Sequence, residues 1–271
     1  KSTPINSKLD IVGNLIVTGS IYSNQVKINR GNSGTGVSTG IAIGNTNALN
    51  ITNGTGNIAI GVDALSGSCD VNYTIAIGHN ALKYGHQPAS VIHSAIAIGA
   101  FALGGNPLGS QGAYNVAIGG YALYNASTTS NNTAIGQSAL YNLRTSPNTA
   151  NTVNGFQGLY TLGDGSGNTA LGNNSLYQLS TGSYNIGVGN LSLSSLNTGS
   201  YNIMIGTYLS GTGPGITSGS YNTIIGSQIT GLAANLNNNV IIADGAGNIR
   251  MRVSSSGHTT FDLPVTASVF G

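Results

Sequence analysis

Three histidines, His79, His86 and His93, stand seven residues apart. Three imidazoles from three copies of a chain could hold a metal ion. Within one chain this spacing marks polar loop residues, so no metal site and no cofactor are expected. Nucleophilic catalysis needs a base beside a nucleophile, and no motif supplies one: with no Glu there is no His-Glu-x-x-His helix, and no lysine follows a phosphate-cradling glycine loop. Hydrolysis of a glycoside by paired carboxyl groups needs them about 5 to 9.5 Å apart. The six Asp are scattered, with Asp63 and Asp70 the nearest pair in the chain. The expectation is a protein without catalytic activity.

Chemistry of recognition is better represented. Tyr84, His86 and Gln87, then Asn106, Gln111 and Tyr114, then Tyr141, Arg144 and Asn148 cluster around Pro88, Pro107 and Pro147. Proline cannot donate to a strand ladder, so these stretches are expected to leave any sheet as exposed loops. Binding residues concentrate on such loops, and Tyr and Asn make low-entropy contacts. The nine residues are therefore candidate contacts for a glycan or receptor; the bland alternative is an insertion that binds nothing. Tyr73, Tyr114, Tyr184, Tyr201 and Tyr221 recur at one place in a repeat and are expected to form a packing ladder at a corner.

A repeat must position all of these. The phrase Ala-Ile-Gly or a close variant recurs with its glycine at 44, 61, 78, 99, 119, 136, 155, 172, 189, 206 and 226. Seven of the steps are 17 to 19 residues; those of 21, 20 and 20, together with the step of 19, each contain one proline, Pro214 being in the last. Such a period is too short for paired helices and suits one coil of a β-solenoid. Four residues before the glycine stands Asn in eight copies: Asn57, Asn115, Asn132, Asn151, Asn168, Asn185, Asn202 and Asn222. Four residues after it stands Leu in eight: Leu65, Leu82, Leu103, Leu123, Leu140, Leu159, Leu176 and Leu193. Gly61, Gly119, Gly136, Gly172, Gly189, Gly206 and Gly226 each follow a short strand and free the chain to turn a corner. Asn stacked at equal levels would form an amide ladder.

Strand side chains alternate faces. Ile58 and Ile60 point one way and Ala59 the other, so both faces are apolar and both are expected to be buried. One fills the coil; the other needs a partner. The small Ala, and Gly187 in its place, are expected to form the partner face, because they let a second backbone approach. Several identical chains around a common axis satisfy that need. Eleven coils at about 4.8 Å each give a rod on the order of 50 Å long. The chain divides into an N-terminal β-rich segment 1–39, a repeat domain 40–236 and a C-terminal β-hairpin segment 237–271.

Composition removes other classes. The chain is 5% charged, against about 25% for an average soluble domain. A net charge of +2 spread this thinly makes no phosphate-binding stripe, so no nucleic-acid partner is expected. Apolar runs are a few residues long, so no direct membrane insertion is expected. Cys69 is the only cysteine and makes no intrachain disulfide.

The run Asn132-Thr133-Ala134-Ile135-Gly136-Gln137-Ser138-Ala139-Leu140 resembles the head repeats of trimeric autotransporter adhesins, and looks still more like the repeats of phage and large-virus tail-fibre proteins. The repeats span residues 40–230, about 70% of the chain. The resemblance implies a left-handed parallel β-roll that is an obligate homotrimer. Residues 9–22 are similar to segments that precede such repeats in phage fibres, and Val240–Arg250 to segments that follow them. A self-cleaving chaperone often comes next in that family, so a chain from Lys1 to Gly271 is expected to be processed or partial. The resemblance implies a non-enzymatic, homotrimeric host-attachment fibre on a virion surface or otherwise extracellular. A cellular adhesin head or surface filament is the alternative, and a polysaccharide-degrading fibre the less favoured one.

Overall fold

The computed structural model describes residues 21–22, 27–29, 40–43, 55–67, 71–84, 92–105, 112–127, 129–143, 150–207 and 215–261. These form strands and turns with no helix. The strands are β1 Ile21–Tyr22, β2 Lys27–Asn29, β3 Gly40–Ile43, β4 Asn57–Ile60, β5 Val71–Asn72, β6 Ile75–Ile77, β7 Ile92–His93, β8 Ile96–Ile98 and β9 Val116–Ile118. They continue as β10 Thr133–Ile135, β11 Thr152–Asn154, β12 Thr169–Leu171, β13 Ile186–Val188, β14 Ile203–Ile205, β15 Thr223–Ile225, β16 Val240–Ala243, β17 Ile249–Val253 and β18 Thr259–Phe261.

The fold is a β-solenoid. From β3 to β16, passing over β5 and β7, each strand pairs in parallel with its equivalent one coil away. Each of the eleven phrases supplies one such strand. Pairing crosses the long intervals without slipping: Ile75 meets Ile96, and Ile203 meets Thr223. The extra residues are thus absorbed between strands. Antiparallel strands close both ends, β1 and β2 before β3, and β17 and β18 after β16. The expected hairpin over 240–253 is present as β16 and β17.

The two strand faces are the reverse of the sequence expectation. Ala59, Ala76, Ala97, Ala117, Ala134 and Ala170 are fully buried inside the coil, and the flanking Ile residues point outward. The reason is the space already taken by leucine. Leu65, Leu82, Leu103, Leu123, Leu140, Leu159 and Leu176 fill the interior from the opposite wall, joined by Leu143, Leu162, Leu179 and Leu196. Only a methyl fits beneath the strand. Where the strand contributes more, the wall contributes less: Val153 sits over Gly158, at which a Cβ would lie 2.6 Å from the valine Cγ1. Where it contributes nothing, at Gly187, the Ser175 hydroxyl fills the gap and donates to the Gly187 carbonyl at 2.9 Å. Past Leu193 the leucine column ends, and Met204, Ile224 and Ile241 enlarge the strand side instead.

The wall opposite the strand is a run of turns, not a second short strand. The recurrent leucine has φ near 50° in all eight copies. A left-handed conformation costs roughly 1–2 kcal/mol in a residue with a side chain. Full burial of leucine contributes about 1.5–3 kcal/mol and offsets it. Among the described residues, none of the 26 side-chain-bearing residues with positive φ is β-branched. A second branch at Cβ makes that region a genuine outlier, so Leu occupies the turn and Ile the strand.

Candidate functional site

The outward strand face is a continuous surface from β3 to β16. Each strand presents two side chains to it, and pairing aligns them in two columns. One column runs Ile43, Ile60, Ile77, Ile98, Ile118, Ile135, Asn154, Leu171, Val188, Ile205, Ile225 and Ile242. The other runs Ile41, Ile58, Ile75, Ile96, Val116, Thr133, Thr152, Thr169, Ile186, Ile203, Thr223 and Val240. No position in either column is charged. Ile205 is 46% exposed while Met204 beside it is 5% exposed, so the face is open and the core is not. A contiguous, uncharged and largely aliphatic exposed surface of this length marks a candidate interaction site.

The amide ladder that holds the face in position lies just beneath it. Asn115, Asn132, Asn151, Asn168, Asn185, Asn202 and Asn222 are fully buried. From Asn115 to Asn202 each Oδ1 accepts from the backbone N–H and the side-chain Nδ2 of the next Asn; for Asn168 and Asn185 the distances are 3.0 and 3.1 Å. The remaining Nδ2 hydrogen goes to a turn carbonyl, as from Asn168 to Gly182 at 2.9 Å. Every polar atom of the buried side chain is therefore satisfied. Asn168→Ala removes the acceptor of the Asn185 backbone N–H and of one Asn185 Nδ2 hydrogen, and the side-chain donor to the Gly182 carbonyl. We expect unfolding free energy to fall by about 3 kcal/mol, since each orphaned buried group costs about 1–3 kcal/mol; equilibrium unfolding in denaturant checks this.

One member of the ladder escapes the phrase. Asn239 continues it, its backbone N–H donating to Asn222 Oδ1 at 3.1 Å, although Ala243 stands where the phrase would have Gly. The Asn-Val-Ile-Ile spacing was the available signal. Arg252 then caps the ladder, its Nε donating to Asn239 Oδ1 at 3.0 Å. Arg250 on the same strand pairs with Asp244. The Asn248 amide and Arg250 hold that carboxyl well below the usual carboxylate range. Between coils, Lys83 Nζ lies 3.0 Å from Asp63, and this hydrogen bond holds the ammonium above its ordinary range.

The tyrosines form ladders. Tyr184, Tyr201 and Tyr221 stack with ring centroids 5.1 and 5.0 Å apart, and Tyr73 lies against Gly56. Tyr114 shares their position but stands alone, because the next coil has Asn131 there. A second ladder escaped the sequence reading. Tyr124, Tyr141, Tyr160 and Tyr177 stand five residues after successive phrase glycines and stack at 5.2, 5.0 and 5.3 Å. Phe101 and Tyr121 stack beside them at 5.1 Å, and His79 meets Phe101 edge-on. Burial in this stack, with the neighbouring phenols of Tyr160 and Tyr124, pushes the Tyr141 hydroxyl above its usual range.

Of the nine loop candidates, three lie in the described residues, and they do not converge on one spot. Tyr84 is exposed with Lys83 Nζ 5.4 Å from its ring centroid, Tyr114 is exposed at a corner, and Tyr141 is in the second ladder. His86, Gln87, Asn106, Gln111, Arg144 and Asn148, and the four loop prolines, lie outside the described residues. Gly36-Val37-Ser38-Thr39-Gly40 has the spacing of a nucleophile elbow, but an elbow joins a strand to a following helix, and here Gly40 opens β3. Among the described residues no group of three His, Cys, Asp or Glu is placed to hold a metal ion. No protein family, curated protein or solved structure was found to match the chain.

Proposed function

We propose that this chain is a structural, non-enzymatic segment of a host-attachment fibre on a virus particle, in which three copies pack through their outward strand faces. The single observation that carries the reading is the pair of uncharged apolar columns running the length of the solenoid. A partner for such a face must be uncharged and must repeat at the same axial step of about 4.8 Å. A second copy of this chain meets both requirements. Cyclic closure of three copies pairs every outward strand face and leaves no unpaired copy of that face for further growth.

The mechanical role follows from the same features. Stacked coils with capped ends and no lateral sheet edges unfold slowly, which suits a rod that holds a contact point away from a particle. The virus setting rests on the resemblance of the Asn132–Leu140 phrase and of the flanks to tail fibres. The stacked tyrosines turn their edges, not their faces, to solvent, so they stiffen the rod. Glycan or receptor contact is assigned to the proline-containing loops. Light scattering tests the assembly: the expected mass is three times 27.2 kDa, persisting on mild heating in detergent. A mass of 27.2 kDa overturns the reading.

A further inference from the structure

The outward face has a weakness as an interface. The first column is nearly uniform, so two copies could slide past one another by a whole coil and still set aliphatic against aliphatic at almost every level of it. Uniform ladders specify axial register weakly. One residue breaks the uniformity. Asn154 is the only member of its twelve-residue column that is not aliphatic, and it lies near the middle. Ile135 precedes it and Leu171 follows it. Its side-chain amide is exposed and has no hydrogen-bond partner among the described residues, unlike the buried asparagines of the ladder beneath.

Resting on the trimeric reading above, we propose that Asn154 sets the axial register of the assembled copies. Cyclic symmetry brings equal levels of the three chains side by side. In register, three Asn154 amides face one another, and each offers both donors and an acceptor, so they satisfy each other. After a slip of one coil, each amide faces Ile135 or Leu171 of a neighbour and is buried without a partner. The penalty for such a group corresponds to at least about fivefold in population for each amide. A lone polar residue within an apolar seam sets register in coiled coils by the same logic.

The second column cannot do this work. Thr133, Thr152 and Thr169 occupy three successive levels, so a slip of one coil still sets Thr against Thr at two of them. Threonine also presents a methyl group, which an aliphatic neighbour accepts.

The test uses the full chain in a Cys69→Ser background. Ile118→Cys and Ile135→Cys are placed in separately tagged copies that are produced together and oxidised. A disulfide spans at most about 6.8 Å between Cα atoms. In register, like positions join; after a slip of one coil, 118 joins 135. With Asn154 present, the mixed disulfide is expected to be under about a tenth of the total. Asn154→Ile is expected to raise it several-fold while the trimer mass persists. Asn154→Ile with Val188→Asn, which moves the amide to another level, is expected to return it to the starting value. An unchanged mixed fraction in Asn154→Ile at trimer mass overturns this proposal and leaves the trimer standing. A monomeric mass for the unaltered chain overturns both.

Discussion

Ile118→Lys combined with Ile135→Lys is expected to abolish the proposed trimer, giving a mass of 27.2 kDa in place of three times that value. Both side chains point out of the coil in one column, at neighbouring levels. Neither substitution touches the buried Ala and Leu core, so each chain keeps its strands, and its circular dichroism stays that of a β-protein. At the interface, however, six ammonium groups would lie close together. Removing each from water costs several kcal/mol even after relaxation, with no carboxylate opposite, and their mutual repulsion adds to this. The columns contain no acidic residue that could pair with them. Asn197→Lys, at an exposed position away from the strand, serves as the control and should leave the mass unchanged. A double variant that remains trimeric would place the interface elsewhere and remove the main support for an assembled fibre.

Gly136→Ala is expected to lower unfolding free energy by about 3 kcal/mol or more, with failure of the chain to fold as the extreme. At φ 131° the residue sits where side-chain-bearing residues are strongly disfavoured. A Cβ there would approach the backbone of Gly155 in the next coil, with its carbonyl carbon 2.7 Å away. The obstacle is backbone, so rotation of a side chain cannot relieve it. The coils would have to separate, and their spacing is held by the strand ladder and the asparagine ladder together. Gly245→Ala is the matched control. A Cβ there meets nothing within 4 Å, and a change within about 0.5 kcal/mol is expected. Equal effects at the two sites would show that close stacking at the corner contributes little.

Much of the architecture is legible in the spacing of three residue types. Asn four before the glycine predicts an amide ladder because a buried amide at equal levels can satisfy itself only on its copies, and Asn115 to Asn222 do so. The glycine predicts a corner because it alone tolerates the required φ. The tyrosine ladder at Tyr184, Tyr201 and Tyr221 follows from the same regularity. The second ladder, at Tyr124, Tyr141, Tyr160 and Tyr177, was equally regular, but Tyr141 reads as a loop residue beside Pro147 when its distance from the glycine is not considered. Asn239 was hidden because Ala243 stands in for the glycine that marks every other copy.

The sequence by itself therefore determined the period, the identity of the stacked residues and the existence of two apolar strand faces. Tertiary structure alone decided which face is inside. Alternation in Ile58-Ala59-Ile60 separates the faces without saying which is enclosed, since both are apolar. The choice falls to Leu65 and its equivalents, whose left-handed turn drives a large side chain across the coil and leaves room only for a methyl beneath the strand. Volume inside a narrow coil, more than hydrophobicity, sends isoleucine outward and leaves an aliphatic face exposed.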